Sequence, residues 1–229
     1  MIALIKNMAY SEPLAYRIYY ELIRKRSGRY PRLPQKSDDF YFDGYPRSGN
    51  TYTANLIKHV FPGLEWTHHL HAEAVLKMAL KKKLKCLVII RNPVDAIASF
   101  TYTKSTSKII DISLIEACME RYINYYSFVA FVKEEIDVVD FNFVIKNQVA
   151  FLHWFSDKCA PHKSKNNIEP EIIVEYDKKM LEKEKSKVLE YSSLPSVERA
   201  EFKSLIKSSI LAHRNYKEAE NLYHILKNS

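Results

Sequence analysis

Two of the four glycines in this 229-residue chain fall in one short stretch, Gly44-Tyr-Pro-Arg-Ser-Gly49-Asn-Thr-Tyr-Thr53. Proteins average about 7% glycine, so a chain this poor in glycine places it where the backbone needs it. The residues before the stretch, Asp39-Phe-Tyr-Phe-Asp43, are aromatic and alternate as a strand does. Those after it, Thr51 to Val60, carry apolar side chains at helical spacing. A strand, a glycine loop and a helix in this order aim free backbone N–H groups and a helix N-terminus at an anion. The spacing of Gly44, Gly49 and Thr51 follows the phosphate loop G-x-x-x-x-G-K-[ST] with one break. Asn50 stands where a lysine reaches the β- and γ-phosphates of a nucleoside triphosphate. The nearest cation is Arg47, inside the loop, and the pattern argues against ATP chemistry.

A second motif is Leu87-Val-Ile-Ile-Arg-Asn-Pro-Val-Asp-Ala-Ile-Ala-Ser99. Its apolar run reads as a buried parallel strand. Asn92 suits an N-cap, Pro93 the first helical position and Asp95 the first turn. Arg91 is thereby expected at the C-terminal end of a strand, where doubly wound sheets bind ligands. Between the two motifs, Trp66-Thr-His-His-Leu-His-Ala-Glu73 holds three histidines. Histidine suits a proton acceptor because its unperturbed pKa of about 6.5 lies near working pH. Metal binding is the rival reading, since His69 and His71 share a face in a strand and Glu73 continues the alternation. No cysteine pair or second histidine group completes such a site, so no metal is expected.

The string Tyr45-Pro-Arg-Ser-Gly-Asn-Thr-Tyr52 resembles the 5′-phosphosulfate loop of the sulfotransferases that use 3′-phosphoadenosine 5′-phosphosulfate (PAPS), typically Y-P-K-S-G-T-T-W. The Arg91 motif resembles their 3′-phosphate motif, R-N-P-x-D-x-x-x-S, with Arg91 and Ser99 at the two binding positions. In the cytosolic members a K-T-H-L-P strand supplies the catalytic base. His69 fits its spacing to Arg91 and precedes Leu70, whereas His68 fits the Thr-His dipeptide. The resemblance implies transfer of the sulfuryl group from PAPS to an acceptor hydroxyl or amine, releasing 3′-phosphoadenosine 5′-phosphate (PAP), without a metal. Arg47, Ser48, Gly49, Asn50, Thr51 and Tyr52 would hold the 5′ side. Arg47 would also offset charge on the bridging oxygen, and His69 or His68 would take the acceptor proton. The implied fold is α/β: a three-layer sandwich, P-loop NTPase-like, with a central, mostly parallel sheet and helices on both faces.

Some positions depart from the family pattern. Arg47 replaces the usual lysine, and its pKa above about 12 makes it a fixed cation rather than an acid. The Arg-Ser-Gly string resembles several carbohydrate sulfotransferases, and the 16 tyrosines suit stacking on sugar faces, so a glycan acceptor leads. The family's Y-E-D strand end, associated here with the adenine contact, has Phe141-Asn142 in its place within an expected strand 136–143. Ile172-Ile-Val-Glu-Tyr-Asp177, with Tyr176, matches the residues better but lies later. The C-terminal R-K-G segment is unrecognisable, and Arg214 is the nearest substitute.

Length and a hydrophobic share of 47% bound one compact domain over residues 1–229. It divides into an N-terminal helix and linker (1–37), a nucleotide-binding core (38–156) and a mostly helical C-terminal part (157–229). Leu14, Ile18 and Leu22 lie on one face of the first helix, which Gly28 ends. Three cysteines without metal or disulfide spacing favour a reducing, cytoplasmic compartment. No apolar run suggests a membrane span. The net charge of +8 suits a polyanionic nucleotide and a small-molecule or glycan acceptor that is itself acidic. No nucleic-acid-binding signature accompanies the charge, and oligomerisation is left open. Two alternatives stand beside sulfuryl transfer: a P-loop nucleotide or small-molecule kinase, and a non-catalytic nucleotide-binding relative.

Overall fold

The computed structural model describes residues 10–24, 32–105, 109–160, 168–185 and 197–228. Four strands form one parallel sheet: β1 (Phe40–Gly44), β2 (Trp66–Thr67), β3 (Cys86–Ile90) and β4 (Asp137–Asp140), in the order β2-β1-β3-β4. Every residue of β1 and β3 is buried, as befits strands covered on both faces. Alternation then sorts their side chains between two cores. Tyr41, Val88 and Ile90 face one, while Phe40, Phe42, Leu87 and Ile89 face the other.

The first core lies under α3 (Glu73–Lys81), α4 (Pro93–Lys104), α5 (Ile112–Phe131), α9 (Val197–Leu211) and α10 (Tyr216–Lys227). The second lies under α2 (Asn50–Val60), α6 (Phe141–Lys146), α7 (Gln148–Cys159) and α8 (Pro170–Lys185). This is the expected three-layer sandwich. Among the described residues no helix is long and apolar enough to cross a membrane.

The strand order places a topological switch between β1 and β3. The chain leaves β1 through α2 toward β2 on one side, then crosses through α3 to β3 on the other. At such a point doubly wound sheets open a ligand crevice outside the carboxyl ends of the strands. The glycine loop follows β1, and Arg91 follows β3.

Three local expectations change. The strand expected over 136–143 stops at Asp140, whose carboxylate accepts from the Asn142 N–H and caps α6. Phe141 and Asn142 therefore open a helix. Ile172–Asp177 is likewise helical, within α8, and Tyr176 is buried. In α1 (Pro13–Tyr19) Leu14 and Ile18 are exposed, as is Leu22 in the π-helical turn Tyr20–Arg24. Tyr16 and Tyr20 are buried instead, so tyrosines and not aliphatics face the core. Gly28, expected to end the first helix, lies outside the described residues.

Candidate active site

The loop after β1 is built against backbone on one side and an aromatic ring on the other. A Cβ on Gly44 would lie 2.4 Å from the Ile89 carbonyl oxygen of β3, which leaves room only for glycine. Gly49 has φ +95° and opens α2, and a Cβ there would meet the Phe141 ring at 2.2 Å. Arg47 also takes a left-handed φ of 69°. Two such turns curl the loop and direct its peptide groups inward.

Ser48 and Asn50 are buried and serve the loop itself. The Asn50 Nδ2 donates to the Tyr45 carbonyl at 2.9 Å, and the Ser48 hydroxyl lies 3.1 Å from the Tyr126 hydroxyl. Tyr126 donates in turn to the Ile89 carbonyl at 2.9 Å and accepts from the Tyr45 N–H at 3.3 Å. Burial pushes its phenol pKa up, so it stays protonated and able to donate. The Ser48 N–H also turns inward, donating to the Tyr45 carbonyl at 3.1 Å, which leaves the backbone N–H groups at positions 49–51 for a ligand, and no side chain caps α2. The helix after Arg91 differs, because Asn92 caps it through the Val94 N–H at 3.0 Å. One helix terminus is closed and the neighbouring one is left for an anion.

The switch brings the two arginine motifs together. Arg91 Nη1 donates to the Arg47 carbonyl at 3.0 Å, and Arg47 Nε donates to the Ser99 hydroxyl at 3.2 Å. The Arg91 guanidinium stacks on Phe141, 5.3 Å from the ring centre. Among the described residues no carboxylate pairs with it, although burial lowers its pKa from the ordinary arginine value. A half-buried cation with four of its five donors left over calls for an anion. Tyr122 fixes the strand end by donating to the Arg91 carbonyl at 2.8 Å. Arg214, considered as a substitute for the missing C-terminal segment, pairs with Glu116 at 3.1 Å. Tyr52 lies edge-on to both Phe141 and Tyr176, and its hydroxyl donates to Asp177 at 3.1 Å.

The three histidines do not lie on a strand. β2 ends at Thr67, and His69 and His71 adopt left-handed φ values of 62° and 51°. The shared strand face on which a metal reading rested does not form. The His69 Nε2 lies 3.0 Å from the Thr51 hydroxyl, at the start of α2. Its Nδ1 faces the Nδ1 of His68. Burial, with His68 and His71 nearby, pushes the His69 pKa down to about 3, and burial lowers that of His68 as well. Both rings are neutral at working pH.

Asp43 holds the turn, and nothing in the sequence pattern singled it out. It is fully buried at the end of β1. It accepts from the Leu70 N–H (3.1 Å), the His71 N–H (2.6 Å), the Gly44 N–H (2.9 Å) and the Tyr41 hydroxyl (3.0 Å). His71 Nδ1 lies 2.7 Å from its Oδ1. Burial alone would raise the Asp43 pKa, but His71 and the N–H donors outweigh it and hold the carboxyl at about 2. A folded pKa below the unfolded value of about 3.9 gives stability that is present above pH 4 and lost as pH falls through 2. The contribution is about 2–3 kcal/mol. Acid titration of the fold by circular dichroism should show this loss between pH 4 and 2, and Asp43→Asn should remove that part of the pH dependence.

No curated protein sequence matches the chain. Among solved structures it is similar to mouse sulfotransferase SULT7A1, determined in complex with PAP, at 12% identity and a TM-score of 0.52. The alignment covers 84% of this chain and 90% of that one, and at this identity it establishes the fold. A family model described as the sulfotransferase domain matches residues 64–161. The matched segment takes in the histidine turn, the Arg91–Ser99 motif and Phe141, so this part of the chain matches the sulfotransferase domain, on a fold shared with a sulfotransferase.

Proposed function

We propose that the chain transfers the sulfuryl group of PAPS to an acceptor hydroxyl or amine. The convergence of Arg47, Ser99 and the underused Arg91 guanidinium at the switch point carries this reading. Two cations and an uncapped helix terminus suit a ligand with two separate anionic groups, as a 3′,5′-bisphosphorylated nucleoside has. The loop N–H groups of residues 49–51 hold its 5′ side, and Arg91 with Ser99 its 3′-phosphate. Phe141 and Tyr52 offer aromatic edges and faces for the base. When bound, PAPS supplies the sulfuryl group as the electrophile. Arg47 offsets the charge on the bridging oxygen as the S–O bond breaks, acting as a fixed cation. The acceptor's proton passes to the histidine turn, where the spacing to Arg91 favours His69 and the Thr-His pair favours His68.

The acceptor we favour is a small molecule or glycan, drawn in by the net charge of +8 when it is itself acidic. The Arg-Ser-Gly string supports a carbohydrate. Three buried, unpaired cysteines fit a reducing, cytoplasmic setting. Calorimetry with PAP and with ATP–magnesium tests the nucleotide. We expect PAP to bind without magnesium and more tightly than ATP–magnesium. Tighter binding of ATP–magnesium would favour the kinase reading, for which Asn50 leaves no phosphate-reaching lysine.

A further inference from the structure

The buried Asp43 is more than an anchor for a turn. His71 Nδ1 lies 2.7 Å from the Asp43 Oδ1 and also 2.7 Å from the Gly44 carbonyl oxygen. A carbonyl oxygen only accepts, and so does an ionised carboxylate. The hydrogen must therefore be on Nδ1. In the uncharged form of the ring the lone pair then lies on Nε2, which has no protein partner among the described residues. Neither neighbouring ring is defined in this way. His69 Nε2 is engaged by the Thr51 hydroxyl, which can donate or accept, and the Nδ1 atoms of His68 and His69 face each other.

The turn itself is fixed from two sides. Asp43 accepts the peptide N–H groups of Leu70 and His71, while Arg121 Nη2 donates to the His71 carbonyl at 3.1 Å. The imidazole rests on the first peptide of the anion-binding loop, at the carboxyl edge of the sheet. A base held by a carboxylate at one nitrogen and open at the other is the arrangement that proton abstraction from a hydroxyl requires.

We infer that Asp43 and His71 form an orienter–base pair in which His71 Nε2 takes the acceptor's proton and Asp43 acts as the positioning residue. The inference rests on the sulfuryl-transfer reading and changes the histidine that serves it. In the step, the acceptor oxygen forms the new S–O bond while the bond from sulfur to the bridging oxygen of PAPS breaks. PAP leaves with that electron pair, and the acceptor's proton moves to Nε2. Asp43 stabilises the imidazolium so formed. His69 is left to hold Thr51 at the start of α2.

The test combines nitrogen-15 NMR of the histidine rings with transfer from 35S-labelled PAPS to 2-naphthol and to water. In the wild type, the His71 ring should show the Nδ1–H tautomer, and Asp43→Asn should lose it. His71→Gln and Asp43→Asn should each lower transfer by ~10²–10⁴-fold, with PAP affinity within a factor of about three. Asp43→Asn should also shift the pH–rate profile, which loss of packing alone would not do. Asp43→Glu, which restores the charge, covers the case in which the amide variant does not fold, and it should keep the tautomer and part of the rate. A wild-type His71 in the Nε2–H tautomer overturns the pair. So does full transfer by His71→Gln alongside its loss in His69→Gln. Either result leaves sulfuryl transfer standing. Failure of the wild type to bind PAP instead sinks the sulfotransferase reading, and the tautomer still reports on the pair.

Discussion

Gly44→Ala is expected to destabilise the fold by about 3 kcal/mol and to abolish nucleotide binding with it. The added methyl would sit 2.4 Å from the Ile89 carbonyl and 2.6 Å from the Ile89 side chain. The carbonyl belongs to the neighbouring strand, with Gly44 and Ile89 in direct register, so the clash falls on backbone. Relief requires parting β1 from β3 at the crevice that aims the loop and Arg91 at one ligand. Urea denaturation is the measurement, read as a lower midpoint at unchanged slope. Gly49→Ala should be milder, even though it adds a strained φ of +95° to a 2.2 Å approach. Its obstacle is the Phe141 ring, which can turn aside. Equal stability of wild type and Gly44→Ala would mean that the two strands are further apart at this point than described.

Arg91→Ala should remove discrimination for the 3′-phosphate while leaving the fold intact. Among the described residues the Arg91 guanidinium has one hydrogen-bond acceptor, the Arg47 carbonyl, and Asp95 acts on it only through its charge, without a salt bridge. Its loss therefore strands no buried anion. A charge-assisted hydrogen bond to phosphate is worth about 2 kcal/mol, or ~30-fold in affinity. PAP and adenosine 5′-phosphate should then bind the variant about equally, where the wild type prefers PAP. Calorimetry with the two nucleotides checks this, and an undiminished preference would move the 3′-phosphate elsewhere. Ser99→Ala should have a smaller effect, because that hydroxyl already accepts from Arg47.

Much of this was legible in the chain. The glycine loop, the Arg91 strand and the capped helix after it follow local rules of turn chemistry, capping and apolar runs, and each element formed where those rules put it. The strand over 136–143 misled because alternation continues through Phe141 and Phe143, yet Asp140 is a better helix cap than strand residue. The exposed Leu14 and Ile18 misled for the opposite reason. Helical spacing marks a face but not which face is covered, and the tyrosines of α1 won the core. Asp43 left no signal at all, since an acid at a strand end reads as the start of a loop.

The sequence by itself determined the anion-binding chemistry, because glycine spacing, the absent lysine and the Arg91 motif are properties of short segments. It also pointed to the layered parallel fold, through the resemblance of its motifs to the sulfotransferases. Only the tertiary structure decided that Arg47, Ser99 and Arg91 meet, and that a buried carboxylate lies against the Nδ1 of His71. The reason is physical. Which strand neighbours which is set by burying two cores on one sheet, and the Asp43 carboxylate is held at a pKa of about 2 out of water because the His71 ring and backbone N–H groups converge on it. Those donors come from residues 27 and 28 positions along the chain, across the β1–β2 connection, where no local pattern reaches.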